Sequence, residues 1–140
     1  MKNVANKLKL RGARMTKTRE PLLKLLKRHG LPLTEAAIRA RLAGQGIAVN
    51  KTTVYRELEY LKSQNIIKEI NFGDGKKRYE LNSGHHHHLV CINCDCIDDI
   101  KIQGDVKQIE RQIATQKQFK IFNHSLEFFG LCKVCSKKGA

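Results

Sequence analysis

Apolar positions change their spacing along the chain, and the changes divide it. Between Thr18 and Arg28, Leu22, Leu23, Leu25 and Leu26 stand among Lys24, Lys27 and Arg28, the pattern of an amphipathic helix of about three turns. His29-Gly30-Leu31-Pro32 breaks it. Thr34 is placed to cap a second helix running through Ile38 and Leu42 to Gly44 or Gly46. A third begins at Asn50 or Lys51. Its Val54, Leu58 and Leu61 fall at i, i+4 and i+7, within roughly 60° of one another around the helix axis. Thr52, Tyr55, Arg56 and Glu59 take the other side. The texture then becomes strand-like: residues 66–71 and 78–81 read as strands around a glycine-rich turn at 72–77. Three helices followed by a basic-tipped hairpin suggest a winged helix, that is, a helix-turn-helix carrying a β-wing.

Asn82-Ser83-Gly84 reads as a boundary. It divides the chain into a winged helix over residues 1–82, a linker at 83–84 and a second domain over 85–140. The second part is richer in strands. His86 to Ile92 and Ile97 to Ile102 read as strands, Asp105 to Gln116 as a helix with Val106, Ile109 and Ile113 on one face, and Phe119 to Phe129 as a long strand. The expected class is α+β. So short a second unit is marginal on hydrophobic burial alone, and zinc and dimerisation are two ways to stabilise it.

Composition narrows the functional classes. Hydrophobic residues make up 41% of the 140, enough for a packed core. No apolar run approaches the length of a membrane span, and Met1 to Lys7 lacks an apolar signal core, so the expectation is a cytoplasmic protein without a membrane partner. The net charge is +14. Residues 1–81 hold 19 Lys/Arg against 7 Asp/Glu, a net of +12, whereas residues 82–140 hold 8 against 6, a net of +2. A field concentrated on one half suits a polyanion such as nucleic acid. A solvated basic surface accounts for such an excess equally well, and an anionic membrane fits less well, since no basic amphipathic helix with bulky aromatics stands out.

Five cysteines in a chain without a signal segment argue against disulfides and for metal or redox chemistry. Cys91-x-x-Cys94 and Cys132-x-x-Cys135 are two knuckles with 37 residues between them. Each turn brings two thiolates onto one ion, and together they close a tetrahedral S4 shell, the form of a structural zinc site. A redox pair is expected at the start of a helix after a strand, and neither pair is expected in that setting. Cys96 is left over, either a plain thiol or a spare ligand or redox sensor.

His85-His86-His87-His88 is internal and has four members, unlike an expression tag. On a strand, His86 and His88 face one way and His85 and His87 the other. Two imidazoles at i, i+2 make half a metal site, and Glu80, Asp98, Asp99 and His124 are available to add to it. A mixed nitrogen and oxygen shell suits Fe2+, Mn2+, Co2+ or Zn2+. A polar, solvated linker is the plain alternative.

In this setting the sequence resembles the ferric uptake regulator family of bacterial metal-sensing repressors. The resemblance rests on Thr53-Val54-Tyr55-Arg56, Tyr79-Glu80-Leu81, the segment His85 to Cys94, Asn123-His124-Ser125-Leu126 and the final Cys132-x-x-Cys135. It implies a homodimer built by the second domain, with winged helices that bind double-stranded operator DNA. The third helix would present Thr52, Tyr55 and Arg56 to the major groove. Arg14 would reach DNA, Arg19 would lie near the phosphates, and Lys76 and Lys77 would add backbone contacts from the wing. The resemblance also implies a regulatory site of Glu80, His86, His88 and Asp99 for Fe2+, Mn2+ or Zn2+. The family draws one further histidine from the start of the second helix. Here Pro32 or Leu33 stands there, with His29 nearby. A second family site would use His85, His87 and His124 with a Glu from the following helix. Lys107 or Gln108 occupies that helix position, so the site needs Asp105 or Glu110 to reach in. Aspartate at position 99 is a feature of the peroxide-sensing branch, in which an Fe2+-bound histidine is oxidised.

Two other classes compete with a repressor of metal uptake or homeostasis genes. A metalloenzyme would need a base and nucleophile set or a helical H-E-x-x-H, and neither is visible, so no catalytic residues and no small organic substrate are expected. A metal storage or delivery protein would not need Tyr55-Arg56 or the basic half.

Overall fold

The computed structural model describes residues 6, 8, 12, 14–102, 104 and 106–138. The chain forms two compact units, residues 1–83 and 84–140. Helices and strands are mixed in the first unit and in the second, as the α+β expectation has it.

In the first unit, α1 (Arg19–His29) places Leu22, Leu23, Leu25 and Leu26 in the core. Its entry is held by Thr16, whose Oγ1 accepts from the Arg19 amide at 3.0 Å. Gly30 ends it in the left-handed region at φ 74, donating to the Leu26 carbonyl, a conformation in which any Cβ is strained. Strand β1 (Leu33–Thr34) leads into α2 (Glu35–Gly44), whose Thr34 cap accepts from the Ala37 amide. Helix α3 (Lys51–Ser63) is capped by Asn50, and Val54, Leu58 and Leu61 are its buried residues, the stripe that the spacing predicts. Strands β2 (Ile67–Asn71) and β3 (Lys77–Leu81) form the hairpin, and β1 pairs with the other edge of β3 to give a sheet ordered β1-β3-β2. The two-residue strand is invisible to periodicity. The turn is held by Asp74, which accepts from Arg78 at 2.8 and 3.1 Å and from the Lys76 amide; these contacts draw its carboxyl down to about 2.

In the second unit, β4 (His87–Cys91) is the centre of a sheet ordered β5-β4-β6. Strand β5 (Ile97–Ile100) pairs with it antiparallel and β6 (Glu127–Gly130) parallel. Helix α4 (Val106–Lys117) connects β5 to the return path, and α5 (Lys133–Lys137) follows β6. The long strand expected from Phe119 to Phe129 is reduced to its end. Gln118 turns the chain at φ 48, and residues 118–126 run without strand pairing until Glu127 meets β4. The aromatic positions that suggested a strand instead face outward, Phe119 at 63% and Phe122 at 85% exposure. Asp105, the expected first residue of the helix, lies outside the described residues. No helix among the described residues is long and apolar enough to cross a membrane.

Candidate metal centre

The sulfur cluster grows from the turn between β4 and β5. Cys91 is the last residue of β4 and is buried; its Sγ accepts from the Cys132 amide at 3.3 Å. This contact and the amides of Cys94 and Asn93 pull the Cys91 thiol down to about 6. Cys132 caps α5, its Sγ accepting from the Cys135 amide at 3.5 Å, and that contact lowers its pKa in turn. Cys94 and Cys132 sulfurs lie 3.8 Å apart. A tetrahedral zinc with bonds of about 2.3 Å sets its sulfurs about 3.8 Å apart, so donor type and spacing fit that ion. Cys135 is buried, and its Sγ accepts from Asn93 Nδ2 at 3.3 Å. Cys132-x-x-Cys135 opens a helix after a strand, but that strand is exposed rather than the buried one a redox pair is expected to follow. What speaks for metal is the convergence of Cys91 and Cys94 on it. A surprise is Cys96, whose sulfur lies with those of Cys91, Cys94 and Cys132 in a group within 4.8 Å of one another.

The histidine run divides as its alternation predicts. The rings of His86 and His88 lie 4.9 Å apart, as do those of His85 and His87. On one face, His88 stands between Asp99, its partner on β5, and Glu127, its partner on β6. Glu127 was not legible in the sequence, because the parallel pairing of β6 leaves no local signal. Asp99 is exposed. On the other face, metal-ligating atoms of His85, His87 and His124 lie within 4.8 Å of one another. Glu110 of α4 is hydrogen-bonded to His124 Nδ1, so it is the acid of that helix that reaches the histidine. The carboxylate holds the imidazole by one nitrogen, and Nε2 is buried with no hydrogen-bond partner among the described residues. A buried orphan nitrogen on a carboxylate-oriented ring is what a metal ligand looks like before the metal is added. Burial first, and then His85 and His124, lower the pKa of His87.

In the first unit, Glu80 is on β3 with its side chain 4% exposed, ion-paired to Lys68 at 3.2 Å. Pro32 and Leu33, at the position where a further histidine was sought, are both buried; Leu33 belongs to the core. His29 ends α1, its pKa lowered by burial and then by Arg41.

The basic residues sort by exposure. Arg14, Thr52, Tyr55, Arg56, Lys76 and Lys77 are exposed. Arg19 is not: it is 8% exposed, pairs with Glu57 at 2.8 and 3.2 Å, donates to the Arg14 carbonyl and stacks over Tyr60 at 4.3 Å. These contacts tie α1 to α3 and to the Arg14 backbone.

Comparison with known proteins decides the family. The Ferric uptake regulator family matches residues 10–129. The chain belongs to the ferric uptake regulator family. Within it, the chain is 31% identical over 138 residues to the peroxide operon regulator of Bacillus subtilis, covering 99% of this chain and 94% of the relative. It is 40% identical over 94 residues to the ferric uptake regulation protein of the same organism, covering 64% of this chain and 62% of that protein. Among solved structures it is similar to the ferric uptake regulator of Francisella tularensis with iron, at a TM-score of 0.78 and 29% identity, covering 89% of this chain and 96% of the other.

Proposed function

We propose that this protein is a metal-dependent transcriptional repressor that binds operator DNA as a homodimer in the cytoplasm and controls genes of metal uptake or homeostasis. The observation that carries the reading is the match to regulators over nearly the whole chain, which spans both units. The first unit acts as a winged helix. Helix α3 enters the major groove with Thr52, Tyr55 and Arg56, Arg14 and the wing residues Lys76 and Lys77 hold the backbone, and Arg19 fixes the frame behind them. Zinc on Cys91, Cys94, Cys132 and Cys135 has a structural role, because a closed thiolate shell leaves no position for substrate. The apolar surface of the second unit, including Ile109, Ile113, Phe128 and Phe129, is the dimer face.

The switch is a second divalent ion, Fe2+, Mn2+ or Zn2+, held by Glu80, His86, His88 and Asp99. The ion joins the end of the wing to the second unit and favours the DNA-binding arrangement by the difference in its affinity for the two states. Lys68 now holds Glu80, so the metal displaces an ammonium ion rather than entering a vacant carboxylate. A second ion at His85, His87 and His124, with Glu110 orienting His124, reinforces the unit.

The test is selection of duplexes from a random-sequence pool by the full-length protein with Mn2+. A palindromic sequence is enriched, and its binding falls steeply with salt. Equal recovery of all sequences would refute the reading and favour a storage or delivery protein. A peroxide-sensing variant of the same function has one observation in its favour, the near full-length similarity to peroxide regulators. Peroxide would then release DNA from Fe2+-loaded protein and not from Mn2+-loaded protein.

A further inference from the structure

The fifth thiol has a place in the fold. The β4–β5 ladder pairs Val90 with Ile97, and the next step sets Cys96 opposite Cys91, whose amide donates to the Cys96 carbonyl at 3.0 Å. The connecting turn closes through the Asp95 amide to the Cys91 carbonyl, with Asp95 itself at φ 60. Cross-strand neighbours project to the same face, so the Cys96 thiol points where the Cys91 thiol points. The result is the group of Cys91, Cys94, Cys96 and Cys132 sulfurs, all within 4.8 Å of one another. A tetrahedral S4 shell needs about 3.8 Å between sulfurs, a distance that small rotations of these side chains reach.

The group gathered within 4.8 Å takes Cys96 as its fourth sulfur, whereas the structural-zinc reading joins Cys91, Cys94 and Cys132 to a different fourth donor. That donor is Cys135, buried on α5; Cys96 is exposed beside β5. We propose that Cys96 is an interchangeable fourth zinc ligand, able to replace Cys135 without loss of the ion. The inference rests on the structural-zinc reading above. In the exchange, the bond from zinc to the Cys135 sulfur breaks and one to the Cys96 sulfur forms. Cys96 gives up its proton as it binds and the released Cys135 thiolate takes one, so charge is conserved. Three ligands hold the ion throughout, and the exchange frees α5 while the β4–β5 turn stays anchored.

The experiment measures zinc per chain and the rate of zinc transfer to a chromogenic chelator in wild type, C91S, C96S, C135S and C96S/C135S. C135S keeps one zinc per chain with faster release, and C96S/C135S loses it on dialysis. Loss from C135S as complete as from the double variant overturns the proposal, as does equal retention by both. Zinc missing from wild type would instead sink the structural-zinc reading itself. A second readout uses the exposure of Cys96. In C135S, zinc shields Cys96 from iodoacetamide and removal of zinc restores its labelling, read by peptide mapping; equal labelling of Cys96 in the zinc-loaded and zinc-free variant contradicts the proposal.

Discussion

The two units solve the problem of stability differently. The first buries Leu22, Leu23, Leu26, Ile38, Leu42, Val54, Leu58, Leu61 and Ile67 at no more than 2% exposure, a closed apolar core. In the second, the buried residues among those described are Cys91, Cys135, His87 and His88, whereas α4 buries none. Its large apolar side chains lie outside: Ile92 at 66%, Ile109 at 56%, Phe122 at 85% and Phe129 at 55%. One unit is held by burial; in the other the buried side chains are thiols and imidazoles. On the proposed function, a sensor benefits from that division, because the unit whose order would depend on metal is separate from the one that would read DNA.

The comparison is broken most severely by removing the zinc. C91S in the full chain abolishes the folding transition of the second unit, since a structural zinc contributes about 10–16 kcal/mol against a whole-domain stability of about 5–15. The first unit keeps its own transition, and calorimetry with zinc analysis distinguishes the two. Phe129→Asp, at an exposed site on β6, weakens dimerisation about 100-fold or more, because each copy loses an apolar contact of about 1.5–3 kcal/mol. Sedimentation equilibrium reads it. Leu58→Ala removes side-chain volume from the closed core and costs the first unit about 2–5 kcal/mol, with zinc content unchanged in the same sample. The smallest effect sharpens the assignment of charges. Lys76→Ala leaves folding untouched and reduces the slope of log affinity against log salt by about one. Arg19→Ala, in contrast, lowers the thermal midpoint of the first unit, which a phosphate contact alone would not do.

Much of this was legible where local chemistry sets the structure. The α1 and α3 stripes, the Thr34 cap, the start of α3 at Asn50 or Lys51, the hairpin and the alternation of His85 to His88 follow from spacing and side-chain type, and these elements formed with bounds close to those expected. What local spacing left open depended on contacts distant in sequence. Phe119 to Phe129 carries a strand-like texture, but a strand forms only where a partner edge exists, and β4 offers one to Glu127–Gly130 alone. Arg19 looks like any basic residue in a basic segment until Glu57, 38 residues away, is found against it. Glu110 lay two or three positions beyond the expected helix site, and only the path of the chain after α4 brings His124 back to it. Cys96 looked spare because knuckle counting ignores cross-strand register.

The central claim is that a divalent ion on the histidine and carboxylate group controls DNA affinity. Its most direct test is fluorescence anisotropy of the selected operator with zinc-intact protein, wild type and H86A/H88A, with and without Mn2+. The account predicts at least about a tenfold gain for wild type, the scale of an allosteric coupling, no gain for the variant, and equal zinc in both. Equal affinity of the wild type with and without added metal, or an undiminished gain in the variant, would contradict it.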